Sequence, residues 1–383
     1  MEAMAFFRPF ALERYFAEYE FDAPHLLSSS DCETMSTREL LSLEPGSEES
    51  YLGLRLGYTE TRGDPELRSD LARLYRELSP DSVIVHTGAE EAILDFFLAV
   101  LSPGDHVVVN FPCYQSLSEI PRALGCAVDP WPLREEGGRW EFDLDALARL
   151  LIPKTKLLVL NAPHNPTGAL PSREEFDAIV ALCSKSGVLL FSDEVYRFLE
   201  RDPACRLPAA CEVYEGAVSL SVLSKSAGLA GLRIGWLATR RRDILDAVAE
   251  AKDYGAICSP GPSEFLAGVA ARNFDRLVDR SRRIIASNLG HLGAFFERHR
   301  GFASWTPSAG GSIGYPKLTE SAIASYGDAE RLSRRLATEA GVMILPGSCY
   351  ADDPGRFRIG FGRASMPDSL AALEGWLRGN LER

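Results

Sequence analysis

Five short apolar runs, rich in β-branched residues, recur along the chain, and each ends in turn or helix-start residues. They cover residues 82–86, 106–110, 155–161, 188–192 and 218–222. Helical patterns lie between them. In residues 89–101 apolar side chains recur at helical spacing, and residues 174–184 are introduced by Ser172, which forms a capping box with Glu175. Strands alternating with helices predict an α/β fold whose mostly parallel sheet is flanked by helices.

The pattern changes near residue 240 to long, Arg-rich amphipathic helices, clearest over residues 245–254 and 265–300. Two candidate strands, 341–345 and 357–361, and a closing helix over 368–381 follow. We interpret this part as a connecting helix that leads into a second domain. The division predicted is a large domain over residues 46–260 and a smaller α+β domain built from residues 1–45 and 261–383.

Composition excludes several classes of function. The formal net charge is -13, and basic residues do not cluster beyond short stretches such as residues 240–242, so nucleic acid is not expected as a partner. Residues 1–21 mix charged with apolar side chains, and no later stretch is long enough to cross a membrane, so we expect a cytoplasmic protein without a membrane partner. The 8 cysteines form no C-x-x-C pair and the 6 histidines no ligand-spaced group, so we predict no metal.

Polar and glycine residues directly follow the predicted strands, at the sheet edge where open α/β sheets bind ligands. The first strand leads into Thr87-Gly88-Ala89-Glu90, a helix start whose free N–H groups can cradle a phosphate. After the second strand, the ring of Tyr114 is placed to stack on a flat heteroaromatic ligand, although a packing role is as common. Asn165 and Asp193 follow the third and fourth strands; each would more often be structural if it stood alone.

The fifth strand leads into a glycine-rich segment, residues 224–236, that contains Lys225 and Arg233. A lysine that directly follows a buried strand is desolvated, and desolvation together with nearby cations lowers its pKa toward that of a nucleophilic amine. An isolated lysine is usually a solvated surface charge. Arg233 follows eight residues later in the same glycine-rich segment, and this combination favours a functional role for Lys225.

Taken in order, these elements resemble the class I and II aminotransferases of fold type I, which depend on pyridoxal phosphate (PLP). The resemblance spans residues 58–358 and rests on Tyr58…Gly63, Gly88-Ala89, Pro112-x-Tyr114, Asn165-Pro-Thr-Gly, Asp193-x-x-Tyr196, Ser224-Lys225-x-x-Gly-Leu-x-Gly-x-Arg233 and Arg358. It implies a large domain with a mostly parallel sheet, a smaller α+β domain, and PLP as the cofactor.

The resemblance also implies roles for the residues around the cofactor ring. Lys225 would carry PLP as a Schiff base and then act as general base and acid at the substrate's α carbon. Asp193 would pair with the pyridinium nitrogen. Asn165 and Tyr196 would donate hydrogen bonds to the phenolic oxygen of the ring, and Tyr114 would stack on the ring face.

The remaining roles concern the phosphate and the substrate. The turn formed by Gly88, Ala89 and Glu90, together with Ser224 and Arg233, would hold the phosphate. Tyr58 would reach the phosphate of a neighbouring subunit, which implies a homodimer with shared active sites. Arg358, with Asn165 nearby, would clamp the substrate's α-carboxylate.

The sequence departs from the family pattern at two places. Val222 stands three residues before the lysine, where the family usually has Ser or Gly, and Ser221 lies one residue further away, so how the phosphate is held is in question. Residues 28–33, Ser-Ser-Ser-Asp-Cys-Glu, replace the usual Gly-bearing N-terminal arm. This arm is similar to that of fold type I enzymes of antibiotic biosynthesis, such as capreomycidine synthases, which cyclise their substrates.

The leading hypothesis is therefore an aminotransferase that moves the amino group of an L-α-amino acid to a 2-oxo acid. The alternative keeps the cofactor but leads to elimination, replacement, cyclisation or oxidation at the β or γ carbon. A PLP-binding transcription regulator is disfavoured because there is no room for a DNA-binding module, and a dehydrogenase because no G-x-G-x-x-G follows the first strand. Substrate specificity stays open, since Tyr15, Tyr254 and Tyr350 are of a kind that more often packs than binds.

Overall fold

The computed structural model describes residues 6–381, and sixteen strands lie within that range. They are β1 (His25–Leu26), β2 (Val83–His86), β3 (His106–Phe111), β4 (Ala127–Pro132), β5 (Arg134–Glu136), β6 (Arg139–Glu141), β7 (Thr155–Asn161), β8 (Leu189–Asp193), β9 (Ala217–Val222), β10 (Gly235–Ala238), β11 (Ala303–Ser304), β12 (Ile313–Gly314), β13 (Lys317–Leu318), β14 (Val342–Met343), β15 (Leu345–Pro346) and β16 (Phe357–Gly360).

Fifteen α-helices alternate with or follow these strands in the described range. They are α1 (Ala11–Tyr19), α2 (Thr37–Leu41), α3 (Ser47–Leu52), α4 (Pro65–Ala72), α5 (Gly88–Val100), α6 (Ser116–Ala123), α7 (Leu144–Leu150), α8 (Arg173–Ser186), α9 (Ala210–Val213), α10 (Arg242–Lys252), α11 (Gly261–Arg272), α12 (Phe274–Arg298), α13 (Glu320–Tyr326), α14 (Ala329–Ala340) and α15 (Met366–Leu381). None of the helices between residues 6 and 381 is both long and apolar enough to cross a membrane.

Seven strands form the central sheet, in the order β2-β10-β9-β8-β7-β3-β4. Strand β10 is antiparallel to both of its neighbours, and the other pairs in the sheet are parallel. The predicted α/β fold with a mostly parallel sheet is confirmed. All five predicted apolar runs are strands of this sheet, and the capping box of Ser172 and Glu175 opens α8 as expected.

Two strands of the sheet were missed from the sequence, β4 and β10. Strand β4 contains Pro130 and Pro132 and is mostly exposed, which suits the sheet edge it occupies but not the apolar signature of a buried strand. Strand β10 has only 4 residues and begins within the last residues of the glycine-rich segment. Its antiparallel direction places Gly235 beside the start of α5, at the edge where ligands bind.

The C-terminal elements also differ from their predicted bounds. The predicted helix over residues 265–300 is two helices, because the side-chain amide of Asn273 donates to the carbonyl of Val269 at 2.9 Å and to Glu44 at 2.9 Å, which takes the backbone out of helical geometry. The predicted strand over residues 341–345 is divided between β14, which pairs with β1, and β15, which pairs with β16.

The hydrophobic core is continuous between the central sheet and the C-terminal elements. One cluster joins Phe96 of α5 and Phe191 of β8 with Ile313 and Ile359 in the small sheet β12-β16-β15. A second cluster packs Trp236 against Leu266 of α11. The division of the chain at residues 46–260 stays a prediction. A cavity lies where the sheet edge meets α1, the segment after it, and β16.

Candidate active site

A cavity of about 340 Å³ opens at the carboxyl ends of the parallel strands. Ten of the residues predicted from the sequence line it: Ala89, Glu90, Tyr114, Asn165, Asp193, Tyr196, Ser224, Lys225, Arg233 and Arg358. They come from segments that follow five different strands of the central sheet and from β16. The fold therefore brings most of the predicted site together, as expected where parallel strands end at one edge.

Lys225 follows β9 and is the amine in this cavity. Its Nζ donates a hydrogen bond to the Ser30 hydroxyl at 2.8 Å and lies 5.7 Å from the centre of the Tyr196 ring. Burial lowers the pKa of Lys225 to about 8; the Asp31 carboxylate opposes the shift and the Arg358 guanidinium adds to it. A substantial fraction of the amine is therefore neutral near physiological pH, the form that attacks a carbonyl carbon.

Asp193 is the last residue of β8, and its side chain is buried at the edge of the cavity. Its Oδ1 accepts a hydrogen bond from the backbone N–H of Val195 at 3.2 Å. Burial raises the pKa of Asp193 to about 7, and the charge on Lys225 reduces that rise. A buried carboxylate with so few partners is suited to a cationic ring nitrogen, because a nearby positive charge stabilises the ionised form that burial disfavours.

The start of α5 is packed so closely that only glycine fits there. Gly88 has a φ of +85°, and a Cβ atom on it would lie 2.5 Å from Nη2 of Arg233. A Cβ on Gly235 would lie 2.8 Å from the carbonyl carbon of Gly88. The guanidinium of Arg233 is thus held against the free N–H groups of the first helical turn, an arrangement that suits a phosphate.

Three more side chains line this region. Ser224 faces the cavity, whereas Val222 lines it with an apolar side chain in place of the family's hydroxyl or glycine. The Glu90 carboxylate accepts a hydrogen bond from the Ser116 hydroxyl, and burial raises the pKa of Glu90. Glu90 therefore contributes to the wall of the cavity through its side chain, while its backbone belongs to the first turn of α5, where the sequence predicts a phosphate site.

Arg358 is buried in β16 and held by three partners. Its Nη1 donates to the Tyr350 hydroxyl at 2.7 Å and to Oδ1 of Asn165 at 3.3 Å, and its Nη2 donates to the carbonyl of Ser28 at 2.8 Å. Its Nε has no partner among the described residues, whereas the buried Tyr196 hydroxyl lies near the Ser30 hydroxyl of the N-terminal segment. A buried donor without a partner is costly, so Nε of Arg358 is suited to an acceptor oxygen of a bound molecule.

An N-terminal arm over residues 28–31 completes the cavity, and most of its contacts were missed from the sequence. Ser30 meets Lys225, and Asp31 forms two hydrogen bonds with Arg363, at 3.0 and 2.9 Å. The arm passes so close to β16 that a Cβ on Gly360 would lie 1.7 Å from the carbonyl oxygen of Ser29. The glycines that follow Arg358 were the sequence signal for this close approach.

The other aromatic candidates lie in different environments. Tyr114 lines the cavity with its ring 5.2 Å from that of Phe10. Tyr15 packs in a cluster with Tyr350, and Tyr350 also contacts Asn165 through its hydroxyl at 2.9 Å. Tyr58 and Tyr254 are 91% and 96% exposed and lie outside the cavity of their own chain.

A histidine–carboxylate cluster lies behind the start of α5. Ligand atoms of His86, Glu91 and Asp95 are within 4.8 Å of one another, and Glu91 also accepts a hydrogen bond from the backbone N–H of Thr87 at 2.5 Å. No C-x-x-C pair or histidine pair at ligand spacing marks this cluster in the sequence. That the protein uses no metal stays a prediction.

A lysine, a buried aspartate, a glycine-bounded anion site and a buried arginine, all at the carboxyl edge of this sheet, define a PLP-dependent enzyme of fold type I. The residues fit the cofactor, because Arg233 packs against the glycine start of α5 and an unpaired buried donor of Arg358 belongs to the same cavity as the lysine. The chain belongs to the family of class I and II aminotransferases, whose family model matches residues 26–372.

Comparison with known proteins identifies two kinds of relative. Capreomycidine synthase of Streptomyces vinaceus is 32% identical over 370 residues, covering 94% of this chain and 92% of that protein. A PLP-dependent aminotransferase from Streptococcus suis 89-1591 is similar in structure with a TM-score of 0.90 and 30% identity, covering 97% of this chain and 98% of that one. The PLP-dependent cyclase OrfR is similar with a TM-score of 0.88 and 29% identity, covering 97% of both chains.

Proposed function

We propose that the protein is an aminotransferase that moves the amino group of an L-α-amino acid to a 2-oxo acid. The observation that carries this proposal is the position of Arg358, a buried guanidinium with an unpartnered Nε, in the same cavity as the amine of Lys225. The two groups match the carboxylate and the α carbon of an amino acid. The residue roles below rest on the resemblance and on this geometry.

PLP, when bound, supplies the electron sink that makes the α-proton of an amino acid removable. Asp193 would keep the ring nitrogen charged, and Asn165 and Tyr196 would donate hydrogen bonds to the ring oxygen. Arg358 would hold the substrate's carboxylate and so fix which α bond faces Lys225. Lys225, with its lowered pKa, would remove the α-proton and return it at a different atom.

A second function, cyclisation or another reaction at the β or γ carbon, is supported by the relatives and by the arm. A capreomycidine synthase and a PLP-dependent cyclase are as similar to the chain as the aminotransferase is. Ser30 lies 2.8 Å from the amine of Lys225, so the arm places a hydroxyl at the atom that moves the proton. The final position of that proton separates the two functions.

One experiment decides between them: visible absorbance of the purified holoenzyme, followed by mass spectrometry of products, during titration with a panel of amino acids. Transamination predicts that one donor bleaches the cofactor band, that a 2-oxo acid restores it, and that the donor becomes its own 2-oxo acid. Cyclisation predicts a product that retains the amino nitrogen, formed without any 2-oxo acid. Lys225→Ala is the control, and it should show neither the lysine-bound band nor turnover.

We further propose a homodimer with shared sites. Tyr58 belongs to a group of exposed large apolar side chains, together with Leu52, Leu56, Tyr254 and Ile257. The two segments that carry them lie side by side, since the Thr59 hydroxyl donates to the carbonyl of Ser259 at 3.0 Å. The resemblance implies that a partner covering this surface would bring its own Tyr58 toward the phosphate site of this chain. A cytoplasmic location stays a prediction from the sequence.

A further inference from the structure

Helix α1 forms one wall of the active-site cavity. Glu13, Phe16 and Glu20, which directly follows the helix, all line the cavity. Positions three and seven residues apart share one face of a helix, so two carboxylates flank an aromatic ring on a single surface. The sequence alone assigns no residue of α1 to a side-chain pocket.

The other charged groups of the cavity already have partners. Asp31 and Arg363 form a bidentate pair at 3.0 and 2.9 Å, and the Glu90 carboxylate accepts from Ser116. Lys225, Arg233 and Asp193 have the roles proposed toward the cofactor, and Arg358 has its role toward the carboxylate. Glu13 and Glu20 form no hydrogen bond or ion pair with any residue between 6 and 381.

The surroundings of Glu20 show an excess of negative charge. Burial raises the pKa of Glu20, the carboxylates of Asp31 and Glu13 raise it further, and Arg363 alone opposes the rise. A cation placed between Glu13 and Glu20 would relieve this repulsion, and the ring of Phe16 would add an attraction to its face.

We propose that the substrate is an α-amino acid whose side chain ends in a cation, an ammonium or a guanidinium, bound by Glu13 and Glu20 over the ring of Phe16. The inference rests on the proposed function, because Arg358 and Lys225 must hold the α end of the substrate so that its side chain meets α1. A dicarboxylic substrate is disfavoured: Arg363 is committed to Asp31, and the free carboxylates on α1 would repel it.

The test is a binding measurement on the holoenzyme, by cofactor absorbance and by calorimetry. L-arginine and L-lysine are compared with their neutral counterparts L-citrulline and L-norleucine, and with L-glutamate. We expect at least one cationic amino acid to bind about tenfold or more tightly than its neutral counterpart, because a charged hydrogen bond contributes that much. Equal or tighter binding of the neutral or acidic amino acids would overturn the inference.

Variants identify the residues responsible. Glu13→Gln combined with Glu20→Gln should raise the Kd of the cationic amino acid about tenfold or more and leave that of its neutral counterpart unchanged. Glu18→Gln is the matched control, since Glu18 lies on the other face of α1, 3.5 Å from Arg334, and should change neither Kd. An unchanged preference in the double variant would overturn the assignment to α1.

The same data separate failure of this inference from failure of the proposed function. If amino acids perturb the cofactor band without any preference for a cation, the inference fails and the PLP site stands. If no amino acid perturbs the band and none transfers its amino group, the proposed function fails, and the inference fails with it.

Discussion

Nη1 of Arg358 lies 2.7 Å from the hydroxyl of Tyr350, and that hydroxyl lies 2.9 Å from Oδ1 of Asn165. Arginine can only donate, so the Tyr350 oxygen accepts from Arg358 and its proton goes to Asn165. The amide oxygen of Asn165 is occupied by these two donors, which leaves its NH₂ group to donate toward a bound ring. Tyr350 thus couples the residue proposed for the substrate to one proposed for the cofactor.

Tyr350→Phe should weaken substrate binding more than the chemical step. Loss of the hydroxyl removes one buried hydrogen-bond partner from Arg358 and one from Asn165, whose side chains keep the longer 3.3 Å hydrogen bond to each other, and this costs about 1–3 kcal/mol. We expect KM for the amino acid to rise about tenfold, with a smaller fall in kcat. Steady-state kinetics check this. Tyr326→Phe, a buried tyrosine that packs against Trp376 away from the cavity, is the control; an unchanged KM in Tyr350→Phe would contradict the coupling.

Gly88→Ala should weaken PLP binding through a steric clash with Arg233. The added Cβ would lie 2.5 Å from Nη2 of Arg233 and displace the guanidinium from the anion site. Fluorescence or absorbance titration of the apoenzyme with PLP should show an affinity at least about tenfold lower.

Gly104→Ala is the matched control for the backbone. Gly104 has a φ of +88°, close to that of Gly88, but a Cβ there would have nothing within 4 Å. Both substitutions cost about 1 kcal/mol of backbone strain, so both should lower the thermal midpoint, and Gly88→Ala should lower it further because of its clash with Arg233. Equal losses of PLP affinity would show that strain, rather than displacement of Arg233, explains the effect.

The strand ends that form the site could be predicted from the sequence, because a buried parallel strand and the polar residue after it are adjacent in the chain. The arm could not be predicted in the same way. Ser30 meets Lys225 across 195 residues, and Asp31 meets Arg363 across 332. No local pattern specifies such contacts, and only the resemblance indicated that an arm covers the substrate.

The side-chain pocket was missed for a related reason. Glu13 and Glu20 have the spacing of any solvated helix face, and only the docking of α1 beside the cavity shows that they point inward. Tyr350 is of a kind that usually packs, and it does pack against Tyr315 with 6.0 Å between ring centres, but its hydroxyl also binds Arg358. Burial alone does not reveal both roles.

The lowered pKa of Lys225 predicts how the apoenzyme recaptures PLP. The neutral amine is the reactive form, so the rate constant should rise with pH and level off above about 8, whereas a lysine at the ordinary 10.5 would keep rising through pH 10. Stopped-flow absorbance measures the rate, and a small free amine of known pKa corrects for the ionisation of PLP. A tenfold rise per pH unit that continues past pH 9 would contradict the shift.

Shared active sites would be revealed by mixing two inactive variants. If Tyr58 acts on the partner's phosphate, each active site combines the lysine of one chain with the Tyr58 of the other. Lys225→Ala and Tyr58→Ala then remove groups that different chains contribute to a site. A hybrid dimer then contains one site with an intact lysine from the Tyr58→Ala chain and an intact Tyr58 from its partner. Random reassortment makes half of the dimers hybrids, so activity should recover to about a quarter of the wild-type value.

The same experiment has an internal check. Mixing Lys225→Ala with Arg233→Ala should give no such recovery by this route, because Arg233 and Lys225 line the same cavity of one chain and the hybrid's intact Arg233 lies in the subunit that lacks the lysine. Sedimentation shows whether the chains are dimers at the concentrations used. Recovery only with the Tyr58 variant would place that exposed side chain in the partner's site; no recovery with either pair, in a mixture shown to contain hybrids, would remove Tyr58 from the phosphate site.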